Sequence, residues 1–482
     1  MGCTTILVGK KASFDGSTMV ARTEDSGASG FDPKKFVLIK ANDQVQNYRS
    51  KSGLLNVQLP KKALRYTATP NASDDEGVWA CAGVNEKNVA MTATETITSN
   101  VRVLAADPLV ETGIGEEDIV SLVLPYIESA RDGVTYLGAL LEKYGTYEKN
   151  GIGFHDEDEV WWLETIGGHN WIAKRVPDDS YVVMPNQLGI DNFDLEDAYN
   201  EKLNHMCSDS LKDLIDDNFL NPSFDKESSI INPRLVFGSQ DDSDRVYNTP
   251  RAWAVQRLIN PNSLLWDGEK AQLKPESFEI PWSRKPENKI TVEKIKQALS
   301  LHYQGTEYDV YSDDGKKKYR PIGVNRNNVL VLTQIRPYMP AAIKAIQWMA
   351  FGSTVFNAIV PFYANITRTP DYLANTGKRV STDNFYWTNR LIAALADSNF
   401  KENLIFIERY QNKLLAEVKR LVINTDKKIL DDDLSFYDAC PSLEEANEQI
   451  SMITKKMTDD LLDQVLRQSS LLMKNAFKRS DA

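Results

Sequence analysis

Within the first twenty-five residues of this 482-residue chain, Cys3, Arg22 and Asp25 bring together a nucleophile, a cation and a carboxylate. A free thiol titrates near ~8.5 and an α-amino group near ~7.7–8.0, so a cysteine at a chain terminus carries a base of suitable strength. A nearby guanidinium favours the thiolate, and a carboxylate orients the ammonium formed after proton transfer. As written, Cys3 follows Met1-Gly2 and has no free amine. The chemistry therefore requires loss of both residues, by an aminopeptidase or by self-cleavage. The plain alternative is a small apolar residue in an edge strand, the commonest fate of a cysteine.

Local elements that could hold these groups are legible. Cys3-Thr4-Thr5-Ile6-Leu7-Val8 is apolar and β-branched and reads as a strand closed by Lys10-Lys11. Asp15-Gly16 offers a turn, and Ser17 to Arg22 reads as a returning strand. That return carries Arg22 and Asp25 back towards Cys3.

Composition narrows the function classes. Lys plus Arg is 56 against 68 for Asp plus Glu, a net charge of -12 with no compensating basic stripe, which argues against nucleic-acid binding. No run approaches the ~18 apolar residues of a membrane helix, and the N-terminus lacks a long apolar leader. Cys3, Cys81, Cys207 and Cys440 are too scattered for a zinc site or a disulfide framework. Four scattered histidines leave carboxylates as the main metal donors. A reduced, cytoplasmic protein with no metal or organic cofactor is expected.

Further along, Val78 to Ala82 and Val89 to Thr96 flank an Asn85-Glu86-Lys87-Asn88 turn and read as a hairpin. Acids at residues 116–118 open a helix expected to run through Ile119 to Arg131, and a second helix is expected from Val134 to Tyr144. Strands are expected over residues 159–166 and 171–176, with 181–184 continuing the same sheet up to Pro185-Asn186. His169 reads as surface polarity in a turn. An amide such as Asn186 at a strand end can donate to a developing oxyanion, although asparagine is also a common turn residue. A helical stretch is expected near Leu195–His205, and residues 239–244 read as a solvated acidic loop. Thr249-Pro250 marks the start of a helix that places Arg251 in its first turn, where a cation is unfavourable for the dipole. Residues 329–335 and 358–363 read as strands, and 341–350 as a short helix or buried apolar segment. Phe400–Ile423 and Leu443–Lys478 carry helical periodicity and could cover the sheets or make subunit contacts.

The early Cys-Thr, the Gly-Ser-Thr turn and Arg22-Thr23-Glu24-Asp25 resemble the start of an N-terminal-nucleophile cysteine hydrolase. Within that superfamily the pattern is similar to the dipeptidase A family of lactic acid bacteria. Bile-salt hydrolases and penicillin V acylases are more distant relatives. The resemblance covers most of the chain, most strongly residues 3–100 and 160–260. It implies an α+β fold, the αββα four-layer sandwich, over residues 3–395, with a helical C-terminal extension over 396–482 packed on it. It implies catalytic roles for Cys3, Arg22, Asp25, Asn186 (as an oxyanion donor) and Arg251, and substrate binding by Thr94 and Glu95. The bile-salt branch carries asparagine where Glu95 stands, and a carboxylate there suits a substrate ammonium. Hydrolysis of dipeptides by a homo-oligomer follows from the same resemblance. The alternatives are an amidohydrolase acting on N-acyl amino acids or bile-salt-like amides, and a non-catalytic binding protein.

Overall fold

The computed structural model describes residues 2–27, 30–93, 95–224 and 228–475. Two large antiparallel sheets are built from these residues. The first runs in the order Ser283–Arg284, Tyr181–Met184, Thr4–Val8, Thr18–Asp25, Asn327–Ile335, Ala345–Phe351, Val360–Tyr363. The second runs His205–Cys207, Trp171–Arg175, Val160–Thr165, Asn150–His155, Ala90–Thr92, Ala80–Asn85, Tyr66–Pro70, Val37–Ile39, with Glu95–Thr96 paired to Asn150–His155 off that path.

The strand Thr4–Val8 sits well inside the first sheet, paired with Thr18–Asp25 on one side and Tyr181–Met184 on the other. All five of its residues are buried, which is why its sequence is continuously apolar or Thr instead of alternating. Asp15-Gly16 provides the turn: Gly16 adopts φ +85, which suits glycine. Leu7, Val20, Trp162, Ile172, Val182 and Met184 form an apolar cluster where the two sheets meet. Gly153 allows close approach there, since a Cβ would stand 3.2 Å from Val20 Cγ1 and 3.1 Å from Thr92 Oγ1.

On its other side the first sheet packs against Thr249–Ile259, Val292–Ala298 and Phe385–Asp397, together with the long helices Phe400–Asp431 and Cys440–Leu471. The second sheet is covered by Glu116–Val123 and Ala130–Tyr144. Ile407, Leu414 and Val418 of one long helix and Leu443, Ile450 and Leu461 of the other are buried, recurring at helical spacing. Among the described residues no helix is long and apolar enough to cross a membrane.

Several sequence expectations need correction. The strand Tyr181–Met184 belongs to the first sheet, not to that of Trp171–Arg175, because Pro177 to Ser180 turns the chain into pairing with Thr5–Val8. The helix expected through Arg131 ends at Val123, where Pro125 leads into a 3₁₀ turn. The next helix begins at Ala130, capped by the Ser129 side chain, and runs through Gly133. Near Leu195–His205 the helix stops at Tyr199, and His205–Cys207 is a strand. Of the two expectations for residues 341–350 the buried apolar segment holds: a 3₁₀ turn is followed by the buried strand Ala345–Phe351. Part of the acidic stretch is the short helix Asp242–Tyr247.

A buried histidine is among the polar ties between the sheets. His155, fully buried in the second sheet, bonds Thr18 Oγ1 at 3.0 Å and Thr333 Oγ1 at 2.6 Å, both in the first. Burial pushes its imidazole down to about 3. The unfolded chain takes up a proton near ~6.5 while the native ring stays neutral, so this stability is present above ~6.5 and is lost as pH falls towards about 3. Urea denaturation from pH 7 to pH 4 should show falling stability. His155→Gln should flatten part of that slope and cost about 1–3 kcal/mol at pH 7, the penalty for disturbing a buried hydrogen-bonded group.

Candidate active site

Strand register puts the site together. Thr5 pairs with Met184, so Asn186 follows at the level of Cys3, and the Cys3 N–H donates to Asn186 Oδ1 at 3.0 Å. Thr5 also pairs with Arg22, which places Arg22 and Glu24 on the same face as Cys3 and Thr5. Arg22 Nη2 donates to Cys3 Sγ at 3.0 Å, and its Nη1 meets Glu24 Oε2 at 3.2 Å and Cys81 Sγ at 3.5 Å. Glu24 is ion-paired in turn with Lys34. Cys3, Arg22, Glu24, Lys34 and Cys81 are all buried.

Asp25 is separated from Arg22 by an odd number of strand positions and projects to the opposite face. It accepts a hydrogen bond from Asn327 Nδ2 at 2.6 Å and pairs with Arg320, whose Nη2 also donates to the Gly2 carbonyl at 2.9 Å. Asp25 thus reaches the N-terminal segment through Arg320. The expected pairing of Arg22 and Asp25 around one thiol is divided between two faces of the strand.

Arg251 enters from the first turn of Thr249–Ile259 and explains the cation that the helix dipole disfavours. It donates to the Cys3 carbonyl, to Thr4 Oγ1 at 2.8 Å, and to Asn186 Oδ1 and Asn248 Oδ1 at 2.7 Å each. Asn248 Nδ2 donates to the Asn186 carbonyl at 3.0 Å. The loop carrying Asn186 is further held by Glu164, which accepts from Gly189 N at 2.7 Å and Trp162 Nε1 at 3.0 Å. The Asn186 side-chain amide donates to the Thr96 carbonyl at 3.0 Å. In this form, therefore, its carbonyl and not its amide faces the Cys3 nitrogen.

Glu95 is fully buried and accepts from Thr5 Oγ1 at 2.7 Å through Oε2, while Oε1 has no hydrogen-bond partner among the described residues. Burial pushes its carboxyl up to about 7, against the pull of Arg22 and Arg251. Thr94 lies outside the described residues. Burial also pushes the Cys3 thiol up to about 11, with Arg22 opposing. Cys81 is pushed up further, again by burial first. Burial alone would raise the Glu24 carboxyl, but Lys34 and Arg22 hold it below its ordinary range.

The structure therefore gathers Cys3, Arg22, Asn186 and Arg251 into one bonded cluster, ties Glu95 to the neighbouring Thr5, and joins Asp25 to the Gly2 carbonyl through Arg320. The sequence reading did not single out Arg320, Asn248, Lys34, Cys81 or Glu164. Glu24 carried a signal, as an acid inside a strand otherwise apolar or paired. Arg320 carried none, since it reaches the cluster from a loop almost three hundred residues from Asp25.

Comparison with known proteins bears on the same chain. The model of peptidase family C69 matches residues 2–413. The chain is 49% identical to "Dipeptidase" of Bifidobacterium longum (strain NCC 2705) over 533 aligned residues, covering all of both chains. It is 51% identical to "Probable dipeptidase A" of Streptococcus pyogenes serotype M3 (strain SSI-1), again over the whole of both. With "Dipeptidase A" of Lactobacillus helveticus the identity is 44%, covering 98% of this chain and 97% of that one. The family match over most of the chain and the end-to-end relatives agree, and the chain belongs to peptidase family C69.

Proposed function

We propose that this protein is a cysteine-type dipeptidase whose nucleophile is Cys3, exposed as the N-terminal residue once Met1-Gly2 has been removed. The observation that carries the reading is the Arg22 Nη2 contact to Cys3 Sγ at 3.0 Å, with the Cys3 nitrogen held by Asn186. In the full-length chain Cys3 has no exposed surface and its nitrogen is a peptide nitrogen. Cleavage after Gly2 turns that nitrogen into an amine, held by the Asn186 side-chain carbonyl, and clears space beside the sulfur.

In the mature form the Cys3 α-amine takes the thiol proton and the thiolate, paired with Arg22, attacks the scissile carbonyl. The amine then returns the proton to the leaving amino group. The acyl-cysteine is released by water through the same amine. Asn186 supplies an amide for the tetrahedral oxyanion, and Arg251 fixes both Asn186 and the Cys3 backbone. Asp25, held by Arg320 and Asn327, orients the N-terminal segment. Glu95, whose buried Oε1 lacks a hydrogen-bond partner among the described residues, suits the α-ammonium of the dipeptide, and Thr94 is carried as its neighbour in substrate binding.

The two facing antiparallel sheets with helices outside support the αββα sandwich of N-terminal-nucleophile hydrolases. A catalytic unit over residues 3–395 with a helical extension from 396 belongs to the same proposal. So does a homo-oligomeric, cytoplasmic enzyme; Ile423, Met452 and Leu466 are exposed on the long helices.

Purified mature enzyme should hydrolyse dipeptides faster than N-acyl amino acids, keep its activity in chelator and lose it on thiol alkylation. Cys3→Ala should abolish turnover, and Asn186→Ala should lower kcat by ~10²–10³-fold, the usual loss of one oxyanion donor. A chelator-sensitive activity that survives Cys3→Ala would overturn the reading.

Glu95 adds a pH signature. Below about 7 the carboxyl keeps its proton and cannot pair with an ammonium; above it the anion forms. KM for a dipeptide should therefore fall between about pH 6 and about pH 7.5, while the substrate amine is still largely charged. Steady-state kinetics of Glu95→Gln should show a higher KM without that dependence.

A further inference from the structure

Lys34 is fully buried, an expensive position for an ammonium unless its charge is used. Its backbone is pinned by an isolated bridge to Asn71, and the next two residues donate to Pro70 O and Leu373 O. The ion pair that its side chain makes among the described residues is with Glu24 Oε1. The other oxygen, Oε2, takes Arg22 Nη1 at 3.2 Å, and the remaining arm of Arg22 reaches the Cys3 sulfur at 3.0 Å. Two buried cations thus share one carboxylate. The uncompensated positive charge lies beside a thiol, the group that can supply the missing anion.

We propose that Lys34 is a positioning residue for the nucleophile: by neutralising Glu24 it leaves Arg22 available to the Cys3 thiolate. Without Lys34 the carboxylate would draw the whole charge of Arg22, and a thiolate would become a second buried anion beside one cation. The inference rests on the reading of Cys3 as the nucleophile. The other groups facing the site are Cys81 from Ala80–Asn85, Glu95 from Glu95–Thr96, Arg251 from Thr249–Ile259, and the Arg320–Asp25 pair. Cys81 touches the same guanidinium arm as Glu24, so it is the thiol that competes with Cys3 for Arg22.

The test is the pH dependence of Cys3 carbamidomethylation by iodoacetamide, followed by peptide mass on mature enzyme whose intact mass lacks the first two residues. In this reaction the thiolate displaces iodide, so the rate reports the thiolate fraction. Lys34→Met and Lys34→Gln should both move the profile of Cys3 alkylation and of kcat/KM to alkaline pH by about one unit, slowing both about tenfold at pH 7. Gln can still bond Glu24 and guards against a folding failure of the Met variant. Lys34→Arg should keep the wild-type profile. The double variant Glu24→Gln/Lys34→Met removes one charge of each sign and should bring the profile back towards wild type, an outcome a merely structural pair does not give. Neutral variants that alkylate with the wild-type profile would overturn the role of Lys34. The reading of Cys3 itself fails separately, if wild-type activity survives complete alkylation of Cys3.

Discussion

The buried guanidinium of Arg22 is the interaction on which the rest of the site depends. It sits between two thiols and a carboxylate, with Lys34 behind the carboxylate, in an interior where none of these charges is shared with water. Unpaired, any one of them would cost several kcal/mol. Together they form a chain in which two cations share the Glu24 carboxylate, and the chain ends on the Cys3 sulfur. Arg22 stays protonated despite burial because the thiols and carboxylates around it favour its charge.

The sheets exist in the form they do to hold that chain. Thr4–Val8 and Thr18–Asp25 are interior strands of the first sheet, so their register is set by ladders on both sides and cannot slip without turning every buried side chain over. The second sheet brings Cys81 and Glu95 to the opposite wall. Arg251 acts across the back of the first sheet, tying the Cys3 carbonyl, Thr4 and Asn186 to one helix turn. Period-two geometry therefore explains a division of labour: Arg22 and Glu24 serve the sulfur, while Asp25 and Arg320 serve the segment before it.

Burial also sets the state of the Cys3 thiol in the full-length chain. A thiol pushed up to about 11 is almost wholly protonated at neutral pH, and Cys3 has no surface through which a substrate could reach it.

Much of this was legible in the residues themselves. The strand from Cys3, the turn at Gly16, the return to Arg22 and the hairpin around Asn85 follow from β-branched runs and turn chemistry, which are local. A helix beginning at Thr249-Pro250 with an ill-placed Arg251 was legible for the same reason. What only the tertiary structure decided is which distant groups share a charge. That Tyr181–Met184 crosses to the first sheet, that Asp25 faces Arg320 and not Cys3, and that Lys34 is buried against Glu24 all depend on pairing between segments far apart in sequence. Such pairing is selected by the summed burial and charge compensation of the whole interior, and no local pattern encodes it.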